Sequence, residues 1–304
     1  MIFRKKLFSL CASAALLIVF SPALARAYIP PYWMILSRTA QNHGHGAYIV
    51  DEDVAFPNPD APTGSNKPLE THEHWIILDG SHMRVDVEGA GDLLNQIHLT
   101  YVYRSGRRYF ISATGVRRAE RAPTNWFEPF FHFQNWRRFQ SFAIARGVTP
   151  ADSARSRPVK YSDKSTALPE AEPFIRLARV DGTVSYAIGN ATPAGSTTLL
   201  PGLWIKQDQF VIDKIRFSSG GEILAQKYRL YGTLWLPRSI AVTWPDGKAQ
   251  ITVTSVKSVA TDALVKKRVN PYLLSIAKGD SGKPAAPLLL PANVVVRDFY
   301  TQLR

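Results

Sequence analysis

Cysteine is nearly absent from this 304-residue chain, and the only one, Cys11, lies within an apolar run close to the start. Leu10 before it is too large for the small residue that lipoprotein processing requires at that place, so a lipidated cysteine is excluded. After Cys11 there is no thiol, which rules out disulfide cross-links, thiolate nucleophiles and cysteine-held zinc in the rest of the chain. Stability must come from burial. A run long enough to span a bilayer is also lacking: Leu7 to Phe20 is 14 residues, short of the roughly 20 a spanning helix needs. Acidic residues are scarce, 24 against 37 lysines and arginines. Such a surplus suits an anionic envelope surface and also serves solubility. No basic block exceeds Arg117-Arg118 or Lys266-Lys267-Arg268 and no nucleic-acid motif occurs, so nucleic acid is set aside as a partner. Phosphate loops, dinucleotide fingerprints and the G-x-S-x-G elbow of serine hydrolases are missing too.

What is present begins with a secretory signal. Arg4, Lys5 and Lys6 form a basic start, the apolar run follows, and Ala25-Arg26-Ala27 supplies small residues for cleavage after Ala27 or Ala25. Residues 1–27 are therefore expected to be removed on export to the periplasm. Their loss takes four basic and no acidic residues, leaving 33 basic against 24 acidic and a net charge of +9. The remaining chain is ample for one core.

Hairpins dominate the rest. From Pro201 to Val256, turn signals at Asp208-Gln209, Ser218 to Gly221, Tyr231-Gly232 and Pro245-Asp246-Gly247 separate four or five strands rich in Ile, Val, Tyr and Trp. Ile240, Val242 and Trp244 share one face, as do Ala249, Ile251 and Val253. Earlier, Pro30-Pro31 opens a helix that ends near Gly44, and Gly46 to Phe56 is a strand. Asp79-Gly80, Ser105-Gly106 and Asp181-Gly182 then centre three hairpins. Taken as a two-residue loop, Asp79-Gly80 pairs Trp75 with Arg84 and Glu73 with Asp86. A short strand is expected at Val159 to Tyr161, short helices at Asp262 to Val269 and Asn293 to Leu303, and a linker between those helices.

One stretch breaks this pattern. PTNWFEPFFHFQNWRRFQSFAIARGV, from Pro123 to Val148, repeats Phe130, Phe133, Trp136, Phe139 and Phe142 at every third position. On a helix that spacing winds around the axis, so the segment must be covered on several sides. It reads as an aromatic helical insertion lying over the sheet, either a lid facing a ligand or a core helix sealed by protein.

The entry ILSRTAQNHGHGAYIV, the hairpin EHWIILDGSHMRVDV and above all KIRFSSGGEILAQKYRLYGTLWLPRSIAVTW followed by AQITVTSV give an order of elements that resembles the LolA-like family of periplasmic outer-membrane lipoprotein-sorting carriers. The likeness covers 28–259, with 260–304 a partly helical C-terminal extension outside it. It implies an α+β, mainly β fold: a strongly curved antiparallel sheet, an unclosed half-barrel of about 10–11 strands with covering helices. It also implies transport of lipid or lipoprotein acyl chains in an apolar cavity between sheet and helical lid, in outer-membrane biogenesis, with inner- and outer-membrane donor and acceptor proteins as partners. A 16-carbon chain left in water costs on the order of 12 kcal/mol, at about 0.8 per methylene, so such a carrier needs a long apolar cavity. Ligand contacts are then expected from Leu99, Tyr101 and Phe110 of the sheet and Trp126, Phe130, Phe133, Trp136 and Phe139 of the insertion. The family's lid-holding arginine has its nearest analogue here in Arg84, which as a cross-strand partner of Glu73 and Asp86 would instead be an ordinary sheet residue. The alternative function is a non-catalytic structural or interaction protein of the envelope whose insertion docks on a membrane or partner.

Nothing in the chain requires catalysis, a cofactor or a metal. His43 and His45 are two apart and His72 and His74 share a strand face, but two ligands do not make a zinc site. Asp51, Glu52 and Asp53 point alternately to opposite faces and make a poor acid–base pair.

Overall fold

A computed structural model describes residues 28–58, 67–112, 115–158, 171–274 and 291–304. The expected signal segment of 1–27, the strand expected at Val159 to Tyr161 and the linker expected at 275–287 lie outside the described residues. Helix α1 (Tyr32–Asn42) starts directly after Pro31, whose fixed φ of −64° suits the N-cap. Then come β1 (Ala47–Phe56), β2 (Leu69–Asp79), β3 (His82–Ala90), β4 (His98–Arg104), β5 (Arg107–Ser112) and β6 (Gly115–Arg121). The insertion follows, carrying α2 (Trp136–Ala145). After it run β7 (Ile175–Val180), β8 (Thr183–Ile188), β9 (Gly202–Lys206), β10 (Ile212–Arg216), β11 (Glu222–Tyr231), β12 (Leu234–Trp244) and β13 (Gly247–Val259). The chain closes with α3 (Ala263–Arg268), α4 (Pro271–Leu274) and α5 (Val294–Gln302).

The thirteen strands of the described residues form one antiparallel sheet, in the order β6-β5-β4-β3-β2-β1-β13-β12-β11-β10-β9-β8-β7, with β6 and β7 as its edges among those residues. The count exceeds expectation mainly because β6, GVRRAER, does not read as a strand from its composition. It is an edge, where charge blunts unwanted pairing. The sheet is strongly curled. Seven strand steps separate β4 from β10, roughly 34 Å if flat. Yet Trp126 stacks on Tyr103 of β4 at 4.2 Å and Phe130 meets Phe217, just past β10, at 6.2 Å. Both insertion rings touch Phe142, at 6.0 and 5.0 Å, so the two halves of the sheet face one another across one short segment.

Two local features bear on the reading from sequence. Pro237, in the Leu-Pro pair of β12, has no amide to donate, yet the register with β11 runs past it unbroken, with Tyr228 opposite Pro237 and the adjacent Lys227 at φ 55°. The Ser105-Gly106 and Asp181-Gly182 loops form as expected, with positive φ at all four residues. The third loop differs. Its closing pair is Asp79 with His82, and an irregularity between Ile77 and Asp79 shifts the register, so Trp75 pairs with Val85, Glu73 with Val87 and His74 with Asp86. Gly80 is there for space: a Cβ on it would lie 2.7 Å from the Phe133 ring. The Asp79 carboxylate meanwhile accepts the Ser81 amide at 2.7 Å and sets an Asx-type turn one residue later.

A one-residue slip exchanges the faces. Glu73, Trp75 and Ile77 therefore point inward with Met83, Val85 and Val87, while Ile76 and Leu78 point outward. Ile76, Leu78 and Ile49 pack on the convex side against Val265 and Val269 at the two ends of α3 and its following turn. The concave side holds the main core, to which α1 adds Tyr32, Ile35 and Leu36 and α5 adds Val296, Phe299 and Tyr300. The segment after β13 thus contributes to both faces of the sheet.

Candidate functional site

The insertion is not one continuous helix. A 3-10 turn, Glu128–Phe131, breaks at Phe133 to Asn135, and α2 restarts with the Asn135 side chain accepting the amides of Arg137 and Arg138. The break folds the every-third pattern into a cluster. Phe139 and Phe142 of α2 lie 5.0–6.0 Å from Phe130 and Phe133 of the preceding turn. Trp136 stays outside it, partly buried beside Arg137. Backbone contacts pin the segment to the sheet mouth. Gly80 N–H donates to the His132 carbonyl at 3.1 Å, His43 Nδ1–H to the Phe133 carbonyl at 2.9 Å, and Gln134 Nε2 to the Gly46 carbonyl at 3.0 Å. On the far side Ser219 Oγ meets Asn125 Oδ1 at 2.9 Å. Burial pushes the His43 imidazole down to about 3, against the help of its carbonyl partner and with added repulsion from His132.

Leu99, Tyr101 and Phe110 all face this side, with Tyr101 and Phe110 edge to face at 4.9 Å. They sit nearer α5 and Arg108 than the insertion: Arg108 stacks over both rings at 5.0 Å and donates to the Tyr300 carbonyl at 2.7 Å and to the Arg304 carbonyl. Trp126, Phe130, Phe133 and Phe139 form the insertion's buried face. Tyr103, between Trp75 and Trp126 in a ladder of stacked rings, and Phe142 belong with them and were not among the expected contacts.

Arg84 stands on the convex face, its guanidinium on both oxygens of Asp86, which also accepts from Thr100. The arginine joined to the insertion is Arg304. It is fully buried, and its guanidinium reaches Glu52 at 3.1 Å, Glu73 at 3.0 Å and Glu128 of the insertion at 2.6 Å. Glu52 and Glu73 stand directly opposite each other on β1 and β2, a like-charge pairing that destabilises a sheet unless a cation intervenes. Trp75 Nε1 and Tyr300 Oη donate to Glu73, each at 2.9 Å, and His132 Nε2–H donates to Glu128 at 2.8 Å. The rings of Trp75 and Phe127 flank the guanidinium at 5.0 and 4.7 Å.

This knot ties sheet, insertion and α5 together. Burial and the neighbouring Glu128 raise Glu52 well above the usual carboxylate range, outweighing Arg304. Glu128 goes the other way: against burial, Arg304 and His132 hold it below that range. Of these two acids, Glu52 is the one whose surroundings favour the proton. The one local signal for the knot was Glu128, a lone acid amid WFEPFFHF. Nothing within a few residues of Arg304 marks its partners.

Among the described residues no group of three His, Cys, Asp or Glu side chains is arranged to hold a metal ion. His72 and His74 pair with Asp53 and Asp51 on the convex face, at 2.8 and 2.6 Å. No described helix is long and apolar enough to cross a membrane.

No family model matches the chain, and no curated protein matches it. Solved structures do. A LolA superfamily protein from Nitrosomonas europaea aligns over 81% of this chain and 100% of its own, with a TM-score of 0.48 and 12% identity. A DUF1329 family protein from Desulfovibrio piger aligns over 76% of this chain and 94% of its own, with a TM-score of 0.42 and 10% identity.

Proposed function

We propose that this protein is a non-catalytic periplasmic carrier in outer-membrane biogenesis. It binds lipid or lipoprotein acyl chains between the concave sheet and its covering segments, and exchanges them with donor and acceptor proteins of the two membranes. The carrying observation is that the apolar concave face is covered by separate segments joined through the buried Arg304 knot. Such a knot adds little net stability over apolar packing but fixes one arrangement among alternatives, a property suited to coverings that must part and return. Acyl chains would take the place of the rings of Phe130, Phe133, Phe139 and Phe142, whose burial compensates that of the chain when it leaves.

A second reading has its own observation. Phe130, Phe131 and Phe139 are already buried to within about a percent, as in a finished core. That favours an envelope structural or interaction protein whose insertion is fixed. A staple separates the two. Asn125 and Ser219 touch across the mouth, and the exported chain has no other thiol, so Asn125→Cys with Ser219→Cys can be locked and released by oxidation and reduction. A carrier takes up a fluorescent fatty acid when reduced and refuses it when oxidised, and solvent extraction of the untreated protein yields lipid by mass spectrometry. Absence of both uptake and co-purifying lipid would leave the structural reading standing.

A further inference from the structure

Beside the insertion, and outside the knot, lies an open cleft of about 510 Å³, within the size range of ligand sites. Its walls are the Gly80–His82 turn, the Ser105-Gly106 turn and the face of α2 that carries Arg137, Arg138 and Ser141. Its floor is apolar: Trp126, Phe133 and Phe142. We propose that this cleft binds the phosphate head of an anionic amphiphile, with the start of its chain against the floor rings. This deepens, and rests on, the carrier reading above.

Three observations carry it. First, charge at the rim is unbalanced. Arg137 has no carboxylate within 4 Å among the described residues, and its neighbour is the Trp136 ring. Arg138 has only a 3.6 Å contact with Asp79, a carboxylate already engaged by His82 at 3.0 Å and by the Ser81 amide. Second, Trp126 presents a buried indole N–H with no acceptor among the described residues, and an unmet buried donor costs on the order of 1–3 kcal/mol. The Trp126 ring lines the cleft while its N–H has no accessible surface, so a ligand oxygen reaches it only where a covering side chain moves aside. Third, the floor is continuous with the ring cluster of the insertion, through Phe133 and Phe142, so a chain held by its head here points toward the concave face. Guanidinium groups match phosphate oxygens two at a time, which a neutral head cannot reproduce. The Ser81, Ser105 and Ser141 hydroxyls add donors around the same rim.

The test uses the full exported chain and three probes by titration calorimetry below micelle-forming concentration: dodecyl phosphate, dodecyl maltoside and inorganic phosphate. Dodecyl phosphate is expected to bind at least about tenfold tighter than dodecyl maltoside, with the advantage shrinking in high salt. Inorganic phosphate alone gives no measurable binding. Arg137→Gln with Arg138→Gln, both exposed, brings dodecyl phosphate down to the affinity of dodecyl maltoside, whereas Arg238→Gln on β12 changes neither. The urea midpoint of each variant checks its fold. Equal binding of the two amphiphiles, or an unaffected double variant, overturns the head-group site and leaves chain carriage intact. Inorganic phosphate binding as tightly as dodecyl phosphate overturns the amphiphile in favour of a free-anion site. Failure of both amphiphiles to bind overturns this site too, and lipid extraction then decides the carrier reading separately.

Discussion

Two of the segments that cover the concave face differ in chemistry. The Trp126 to Phe142 insertion relies on rings that pack in several relative orientations, whereas the end of the chain relies on one guanidinium that must meet three carboxylates. Apolar packing supplies most of the energy and tolerates adjustment. The knot supplies geometry: with Arg304 in place Glu52, Glu73 and Glu128 converge, and without it three acids share a dry site. The difference teaches where the cover is expected to fail first. A missing ring leaves a hole that neighbours partly fill, but a missing charge leaves others that cannot be tolerated.

The largest expected effect follows directly. Arg304→Ala should lower the urea-derived unfolding free energy by about 5 kcal/mol, the upper end for breaking a buried ion network from one side. Adding Glu73→Gln and Glu128→Gln should restore more than half of that, and no recovery would show that Arg304 acts through packing alone. Phe130→Ala should cost about 4 kcal/mol, the usual cost of emptying a ring-sized core site, and no second substitution nearby should rescue it without refilling the volume.

Acid sharpens the contrast. His43 is neutral in the fold, with its pKa near 3 against 6.5 when unfolded. The unfolded chain therefore binds the extra proton first, and stability falls as pH drops from 6.5 toward 3. By pH 4 this amounts to about 3 kcal/mol. The substitution His43→Asn keeps a donor for the Phe133 carbonyl but removes the titrating group, so thermal midpoints of the two proteins should diverge only below pH 6.5. Glu52 has the opposite sign. Its raised pKa makes the fold hold a proton that the unfolded chain releases, so its contribution is lost as pH rises above 4.5. Glu52→Gln should accordingly be more stable than wild type at pH 8 and indistinguishable below 4.5. A variant destabilised at pH 8 would mean that Glu52 is ionised.

Much of this fold was legible because antiparallel hairpins write themselves locally. Asp181-Gly182 and Ser105-Gly106 set their own registers, and the alternation of Ile240, Val242 and Trp244 tells which side is dry. The hairpin that misled did so for a non-local reason: Gly80 is a glycine because the Phe133 ring, more than fifty residues later, lies on it. That slip hid Glu73 on the wrong face, and with it the knot. β6 was invisible because an edge strand needs charge more than it needs alternation. Broken at Asn135, the aromatic repeat looks helical throughout, since spacing cannot show a cap that reverses the chain. The partners of Arg304 lie 176 to 252 residues away, beyond any local pattern.

Arg84 gives the smallest and most discriminating effect, because it and Arg304 are two arginines with carboxylate partners on opposite faces of one sheet. The Arg84 side chain is about a quarter exposed, its partner Asp86 retains the Thr100 hydroxyl when the guanidinium is gone, and water can reach both. Arg84→Ala should therefore cost less than about 1 kcal/mol and leave fatty-acid uptake unchanged. Were it to cost as much as Arg304→Ala, or to free the insertion as judged by faster proteolysis within 123–158, the convex face would be coupled to the cover and the division between the two faces would not hold.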